Sequence, residues 1–272
     1  MKIVIDAREL HGKPTGVGRF LRELLAAWAT MPEASAHELV PLAPDGSGAM
    51  GGTLWEQMVL PSLARDAGAD VLFAPAYSGP ILPPMPMVVA IHDVSYAAHP
   101  EWFAWREGAR RRTMVQLAAR AATRVITISE FSKREIVAHL GIDESKIAVV
   151  YPGVTPFTSG TGLEGLSHRN GVLFVGSIFN RRHVPELIEG FARLARTNPD
   201  SRLEVVGENR TSPHVNLESI VRATGVGDRI HLRSYVPDEE LRSLYTASAA
   251  FVFLSEYEGF GLTPLEALAS GL

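Results

Sequence analysis

Cysteine is absent from the 272 residues, which removes disulfides, thiol nucleophiles and thiolate metal sites together. No apolar run approaches the roughly 20 residues needed to cross a bilayer. No signal peptide is visible either, since Met1-Lys2-Ile3-Val4-Ile5 leads straight to Asp6. The nine histidines show neither a His-x-x-x-His nor a His-Glu-x-x-His spacing. A Gly-x-Ser-x-Gly elbow, which would suggest a hydrolase, is also missing. Positive charge is not in excess: 26 Lys and Arg face 30 Asp and Glu, for a net charge of -4. That balance argues against a nucleic-acid partner. The expectation is a soluble cytoplasmic protein without metal or cofactor.

A hydrophobic content of 46% over this length is enough for two modest cores. Short apolar runs alternate with helical stretches from the start: Lys2 to Ala7, a helical run Phe20 to Trp28, His37 to Ala43, a helix around Leu54 to Asp66, Val71 to Pro75 and Met87 to His92. A helix from about Pro100 to Ala122, strand Arg124 to Ser129, helix Glu130 to Leu140 and strand Lys146 to Tyr151 follow. Such alternation implies a parallel sheet covered on both faces, with ligands beyond the C-terminal strand ends. Those ends carry Asp6, His92-Asp93, Ser129-Glu130 and Tyr151-Pro152-Gly153. A linker rich in Gly, Pro, Ser and Thr then separates residues 1–152 from residues 171–272. The second series comprises Val172 to Gly176, helix Val184 to Thr197, Arg202 to Gly207, helix Asn216 to Thr224, Ile230 to Val236, helix Asp238 to Ala247 and strand Ala249 to Leu254.

The densest local signal is Glu258-Gly259-Phe260-Gly261-Leu262-Thr263-Pro264-Leu265-Glu266. Thr263 at the N-cap, Pro264 at the first helical position and Glu266 three residues after the Thr form a helix start. With Gly259 and Gly261 before it, the segment reads as strand, glycine loop and helix N-terminus, an arrangement suited to an anion. Glu266 either closes a capping box or accepts from ligand hydroxyls, and the two roles can coexist. Glu258 has no capping role. Gly16-Val17-Gly18-Arg19 sets a second glycine loop before a helix. A dinucleotide fingerprint fits it badly, because Leu21 holds the third glycine position and no acid ends the next strand.

The segment SEYEGFGLTPLEALASG resembles the Glu-x7-Glu signature of retaining glycosyltransferases of family 4. That resemblance implies an α/β fold of two Rossmann-like, doubly wound parallel-sheet domains, the GT-B architecture, with the donor between them. It implies that Glu258 contacts the donor sugar, that Glu266 meets the nucleotide ribose, and that the amides of Gly259, Phe260, Gly261 and Leu262 hold sugar and diphosphate. TGVGR matches the family loop facing the donor phosphates, which assigns Gly16 and Gly18. IHDVSYAAHPEWF resembles the segment whose histidine lies beside the transferred sugar, so His92 joins the active site, where it could donate to a sugar oxygen or stabilise charge. By position alone such a histidine is commonly structural. VGSIFNRRH matches the basic pair that grips the diphosphate. Arg182 stands where lysine is usual, His183 where Asn or Gly is usual, and Ser177 where some members carry a further arginine. YVPDEEL resembles the segment beside the nucleobase, with backbone groups near Tyr235 and Val236.

The missing Asp-x-Asp, the metal-and-diphosphate device of the other large glycosyltransferase architecture, agrees with metal-free donor binding. DAREL, TGVGRF and IHDVSY look closest to mannosyltransferase-like members that build O-antigen or other surface polysaccharides, which suggests GDP-mannose as donor and a glycan or lipid-linked sugar as acceptor. Arg106, Arg110, Arg111 and Arg112 spread around a helix beside Trp102, Phe103 and Trp105, so a weak peripheral contact at the inner membrane face is the most they support. Family members continue beyond Leu272, so the second domain is expected to be incomplete. The alternative reading is then a catalytically inactive nucleotide-sugar-binding fragment.

Overall fold

A computed structural model describes residues 1–11, 16–44, 52–155 and 170–272. Most of the expected linker and Thr15 of the first glycine loop lie outside these residues. Internal contacts divide the chain into two compact units, Met1–Pro152 and Gly153–Leu272.

In the first unit β1 (Lys2–Asp6) leads to α1 (Gly16–Thr30) and β2 (Glu38–Leu42). Next come α2 (Gly52–Leu54), a π-helical turn at Trp55–Val59, α3 (Leu60–Asp66), β3 (Val71–Ala74) and β4 (Met87–Ala90). The unit finishes with α4 (Ser95–Ala98), α5 (Trp105–Ala121), β5 (Arg124–Thr127), α6 (Glu130–Leu140) and β6 (Ile147–Val149). The strands pair in parallel in the order β2-β1-β3-β4-β5-β6. Val4, Leu72, Met87, Val89 and Val125 are fully buried in one core with Leu60, Ile136 and Leu140. Ile5, Leu21, Phe73 and Ala90 form the layer under α1. Sequence placed α6 correctly because both caps are local. Ser129 accepts from the Ser132 N–H at 2.9 Å, and Gly141 ends the helix in the left-handed region at φ 64°.

The second unit contains β7 (Gly171–Val175), α7 (Val184–Thr197), β8 (Arg202–Val206), α8 (Leu217–Ala223), β9 (Ile230–Arg233), α9 (Asp238–Ala247), β10 (Ser248–Phe251) and α10 (Leu262–Ala269). Its strands are also parallel, in the order β10-β7-β8-β9. Helix α7 buries Leu187, Ile188, Phe191 and Ala195 against β7 and β8 residues Phe174, Leu203 and Val205. Leu173, Val175, Val236, Leu241 and Tyr245 form the core on the other face. Two doubly wound parallel sheets are therefore present.

The strand order sets the place for a ligand. From β7 the chain runs outward through β8 to β9 on one side, then crosses back to place β10 on the other side of β7. Parallel sheets bind ligands at such a reversal, outside the carboxyl ends of the strands. In the second unit that crevice lies between the segments following β7 and β10. In the first unit the reversal lies between β1 and β3.

Helix α5 carries the arginine cluster. Arg111 pairs with Glu107 at 2.8 Å one turn away, Arg106 lies over the exposed Trp105 ring at 5.3 Å, and Arg112 reaches the His139 carbonyl at 3.3 Å. No helix among the described residues is long and apolar enough to cross a membrane.

Candidate functional site

At the reversal point of the second unit, β7 is followed by Gly176, whose φ of 141° favours glycine. A Cβ there would lie 2.2 Å from Arg182 Nη1. The end of β8 approaches just as closely, since a Cβ on Gly207 would sit 1.9 Å from the Gly176 carbonyl oxygen. These two glycines let Arg182 fold back over the strand end. Its Nη1 donates to the Ser177 carbonyl at 3.0 Å, while Nε and Nη2 each approach Glu258 Oε1 to 2.7 Å. The Ser255 hydroxyl also donates to Glu258 Oε1, at 2.7 Å. The structure thus brings Ser177, Arg182 and Glu258 together across 76 residues of sequence.

The side chains of Arg182 and Glu258 are 12% and 20% exposed, so their attraction is screened less than at an open surface. Three of the five guanidinium donors are engaged in these contacts, which leaves two outside them. Phe179 lies under the arginines, with Arg181 4.5 Å and Arg182 5.9 Å from its ring centre. Glu258 has a structural partner that its loop position did not suggest.

The start of α10 differs from expectation. Gly261, at φ 100° and ψ 54°, is the N-cap, and no side chain caps the helix. Thr263 lies inside the first turn, and Pro264, whose missing N–H costs nothing there, follows it. Leu262 and Thr263 therefore present N–H groups at the positive helix end. No capping box forms. Glu266 is only 7% exposed and accepts from the Tyr245 hydroxyl at 3.1 Å. A carboxylate withdrawn this far from water needs such donors.

Tyr235 and Val236 lie beyond the end of β9 rather than within it. Tyr235 is 61% exposed, whereas the Val236 side chain is buried in the core beside Leu241 and Tyr245. Only the backbone of Val236 is left to meet a ligand.

In the first unit, Gly16 and Gly18 are not in a loop: helix α1 begins at Gly16, and Gly18 is buried in its first turn. His92 is 7% exposed and wedged between Phe20 and Tyr77, edge to face, with ring centres at 5.0 and 5.3 Å. Its Nε2 lies 2.8 Å from the Pro75 carbonyl. A carbonyl only accepts, so Nε2 carries the proton and donates. Burial lowers the His92 pKa below its ordinary 6.5, against the opposing pull of the Pro75 carbonyl and Asp93. The ring is neutral and presents Nδ1 as an acceptor. With Nε2 engaged by the Pro75 carbonyl, Nδ1 is the ring nitrogen left to accept a hydrogen bond.

Sequence inspection missed a second cluster, at the end of β1. Asp6 and Glu56 are 1% and 2% exposed. Arg8 bridges them, with Nη2 2.6 Å from Asp6 Oδ2 and in contact with Glu56. The Ser78 hydroxyl and Gln57 amide complete the Glu56 shell at 2.8 Å each. Burial by itself would lower the Arg8 pKa, but the two carboxylates raise it on balance. The cluster ties the β1 end to the π-helical turn. Asp6 and Arg8 belong to the quoted DAREL, but Glu56 is 48 residues away and no spacing pointed to it.

Comparison with known proteins identifies the family. Residues 23–156 match the model of Glycosyltransferase Family 4, and residues 165–272 match that of Glycosyl transferases group 1. The chain belongs to glycosyltransferase family 4. It is 37% identical over 106 residues to the mannosylfructose-phosphate synthase of Agrobacterium fabrum, which covers 37% of this chain and 23% of that relative. Identity to the O-antigen chain mannosyltransferase RfbU of Salmonella typhimurium is 25% over 182 residues, 67% of this chain and 49% of RfbU. The crystal structure of Anabaena Alr3699/HepE in complex with UDP shares the fold with a TM-score of 0.65 at 19% identity, covering 100% of this chain and 79% of that one. The chain spans about a quarter to a half of the length of these two curated relatives.

Proposed function

We propose that the chain transfers a sugar, mannose, from a nucleotide-diphosphate donor to a glycan or lipid-linked acceptor with retention at the anomeric carbon. The observation that carries the reading is the Arg182–Glu258 pair, set at the strand-order reversal of the second sheet beside the open N-terminus of α10. The two remaining Arg182 donors and the Leu262 and Thr263 amides suit the leaving diphosphate, where preorganised charge stabilisation is worth most. Glu258 accepts from a hydroxyl of the donor sugar, and Glu266 from the ribose. In the first unit, neutral His92 offers Nδ1 to a sugar hydroxyl, and the N-terminus of α1 offers amides to an anion.

In the proposed step the bond between the anomeric carbon and the β-phosphate oxygen breaks. The acceptor oxygen bonds to the same face of that carbon, and the acceptor proton passes to the departing phosphate oxygen. Mannose is favoured because RfbU is named an O-antigen chain mannosyltransferase and the Agrobacterium relative a mannosylfructose-phosphate synthase, and a surface-polysaccharide acceptor because of the O-antigen in RfbU's name. A nucleotide diphosphate agrees with the UDP in the Anabaena structure.

The test is a thermal-shift screen of GDP-, UDP-, ADP- and dTDP-sugars, followed by NMR of any transfer product. GDP-mannose should stabilise the chain most, the product should keep the donor's anomeric configuration, and EDTA should leave turnover unchanged. An inverted linkage would refute the mechanism. Stabilisation by no sugar nucleotide would refute the donor assignment.

A further inference from the structure

Among the described residues, the contacts that strap the segment after β10 to the turn before α7 include these four. The Glu256 N–H donates to the Arg181 carbonyl at 3.0 Å, and Arg181 Nε reaches the Tyr257 carbonyl at 3.3 Å. Arg182 pairs with Glu258, and His183 Nε2 lies 2.7 Å from Glu256 Oε1. The first three use the backbone or a permanently charged guanidinium. Only the fourth depends on a group that changes charge near neutral pH.

The backbone at His183 is unusual. It sits at φ 49°, ψ 40°, in the left-handed region, which is uncommon outside glycine and in which Asn, Asp and His are the enriched exceptions. Both ring nitrogens face carboxylates: Nε2 faces Glu256, and Nδ1 faces Glu186 in the first turn of α7 at 3.5 Å. A neutral imidazole could donate to only one of them, whereas an imidazolium donates to both.

We propose that His183 is a positioning residue, whose imidazolium latches the Glu256–Glu258 segment onto the Arg181–Arg182 turn and so makes donor affinity depend on pH. This deepens the donor-site reading of that segment and rests on it. Cations face the latch as well as anions. Arg181 and Arg182 flank His183 on the same turn, but Arg182 is neutralised by Glu258, and Arg181 is directed over Phe179 and to the Tyr257 carbonyl. Two carboxylates therefore dominate. Burial by itself lowers the His183 pKa, yet Glu256 and Glu186 raise it above its ordinary 6.5 on balance.

The sign follows from linkage. A base whose folded pKa is raised contributes stability that is complete below its unfolded value, and loses it as pH rises through the folded value. The latch is closed in mildly acidic solution and released on the alkaline side of the raised pKa. Donor affinity should fall over the same interval.

The test is hydrogen–deuterium exchange on the full chain, read on peptides spanning residues 252–262. Wild type, His183→Asn and Glu256→Gln are compared at the same pH, about 6 and then about 8.5, so that intrinsic exchange rates cancel. His183→Asn keeps a residue that tolerates the left-handed backbone. Glu256→Gln leaves His183 in place but removes the facing charge. At the lower pH both variants should exchange about two- to fivefold faster than wild type, the span expected of a partly exposed ion pair. At the higher pH the three should converge. GDP and UDP affinities from calorimetry should follow the same pattern. Equal exchange of wild type and both variants at the lower pH overturns the latch, as does an identical difference at both pH values. If wild type binds neither nucleotide at either pH, the donor reading fails, while the exchange comparison still decides the latch.

Discussion

Removing Arg182 and Glu258 separately and together tests whether they act as one unit. Arg182→Ala deletes two N–H contacts to Glu258 Oε1 at 2.7 Å and one to the Ser177 carbonyl at 3.0 Å. It leaves Glu258, 20% exposed, facing the Ser255 hydroxyl. Hydrogen bonds to charged groups contribute about 1.5–3 kcal/mol, against about 0–1 kcal/mol for an open surface pair. With partial burial the single variant should lose about 2–3 kcal/mol, and Glu258→Ala about 1.5–2.5 kcal/mol. The double variant should lose less than their sum by about 1.5–2.5 kcal/mol, because whichever residue goes first already breaks the shared contact. The assay is urea unfolding followed by far-UV circular dichroism. Tryptophan fluorescence will not serve, because Trp28, Trp55, Trp102 and Trp105 all lie in the first unit. Additivity within about 0.5 kcal/mol would refute the claim that the pair is coupled.

Gly207→Ala places a Cβ 1.9 Å from the Gly176 carbonyl oxygen, where only backbone movement relieves the clash. It should cost about 1–3 kcal/mol and weaken nucleotide binding. Gly190→Ala on the exposed face of α7, where a Cβ meets nothing within 4 Å, should stabilise by about 0.4–1 kcal/mol; urea midpoints compare the two. His92, whose folded pKa is lowered by burial, contributes stability that is complete above its ordinary 6.5 and lost as pH falls through the lowered folded value. His92→Gln, which can still donate to Pro75, should flatten that acid-side loss in tryptophan-monitored unfolding. Parallel pH profiles for the two proteins would contradict the burial argument.

Much of the fold was legible because its signals are local. Helices α6, α7 and α9 begin and end at the expected residues, each limited by its own caps, prolines or strand neighbours. Where reading failed, tertiary packing overrode a local pattern. Gly16 and Gly18 look like a loop, yet α1 absorbs both, and buried Gly18 lies in its first turn. Thr263-Pro264-x-Glu266 has the spacing of a capping box, but Gly261 takes the cap in the left-handed conformation and Glu266 turns inward to Tyr245. The charged pairs were the least legible part. Arg182 with Glu258, and Arg8 with Glu56, meet through sheet topology across long stretches of chain, and no periodicity carries that information.

The central claim, that the turn before α7 and the segment after β10 hold a nucleotide diphosphate, is tested most directly by calorimetric titration of the chain with GDP and UDP. Wild type should bind at least one of them. Arg182→Ala should weaken binding about tenfold to a hundredfold, the equivalent of losing one charge-assisted contact to phosphate. Glu258→Gln should leave the free nucleotide's affinity within about twofold, because its partner is the sugar rather than the phosphates. Unchanged affinity in Arg182→Ala would contradict the account.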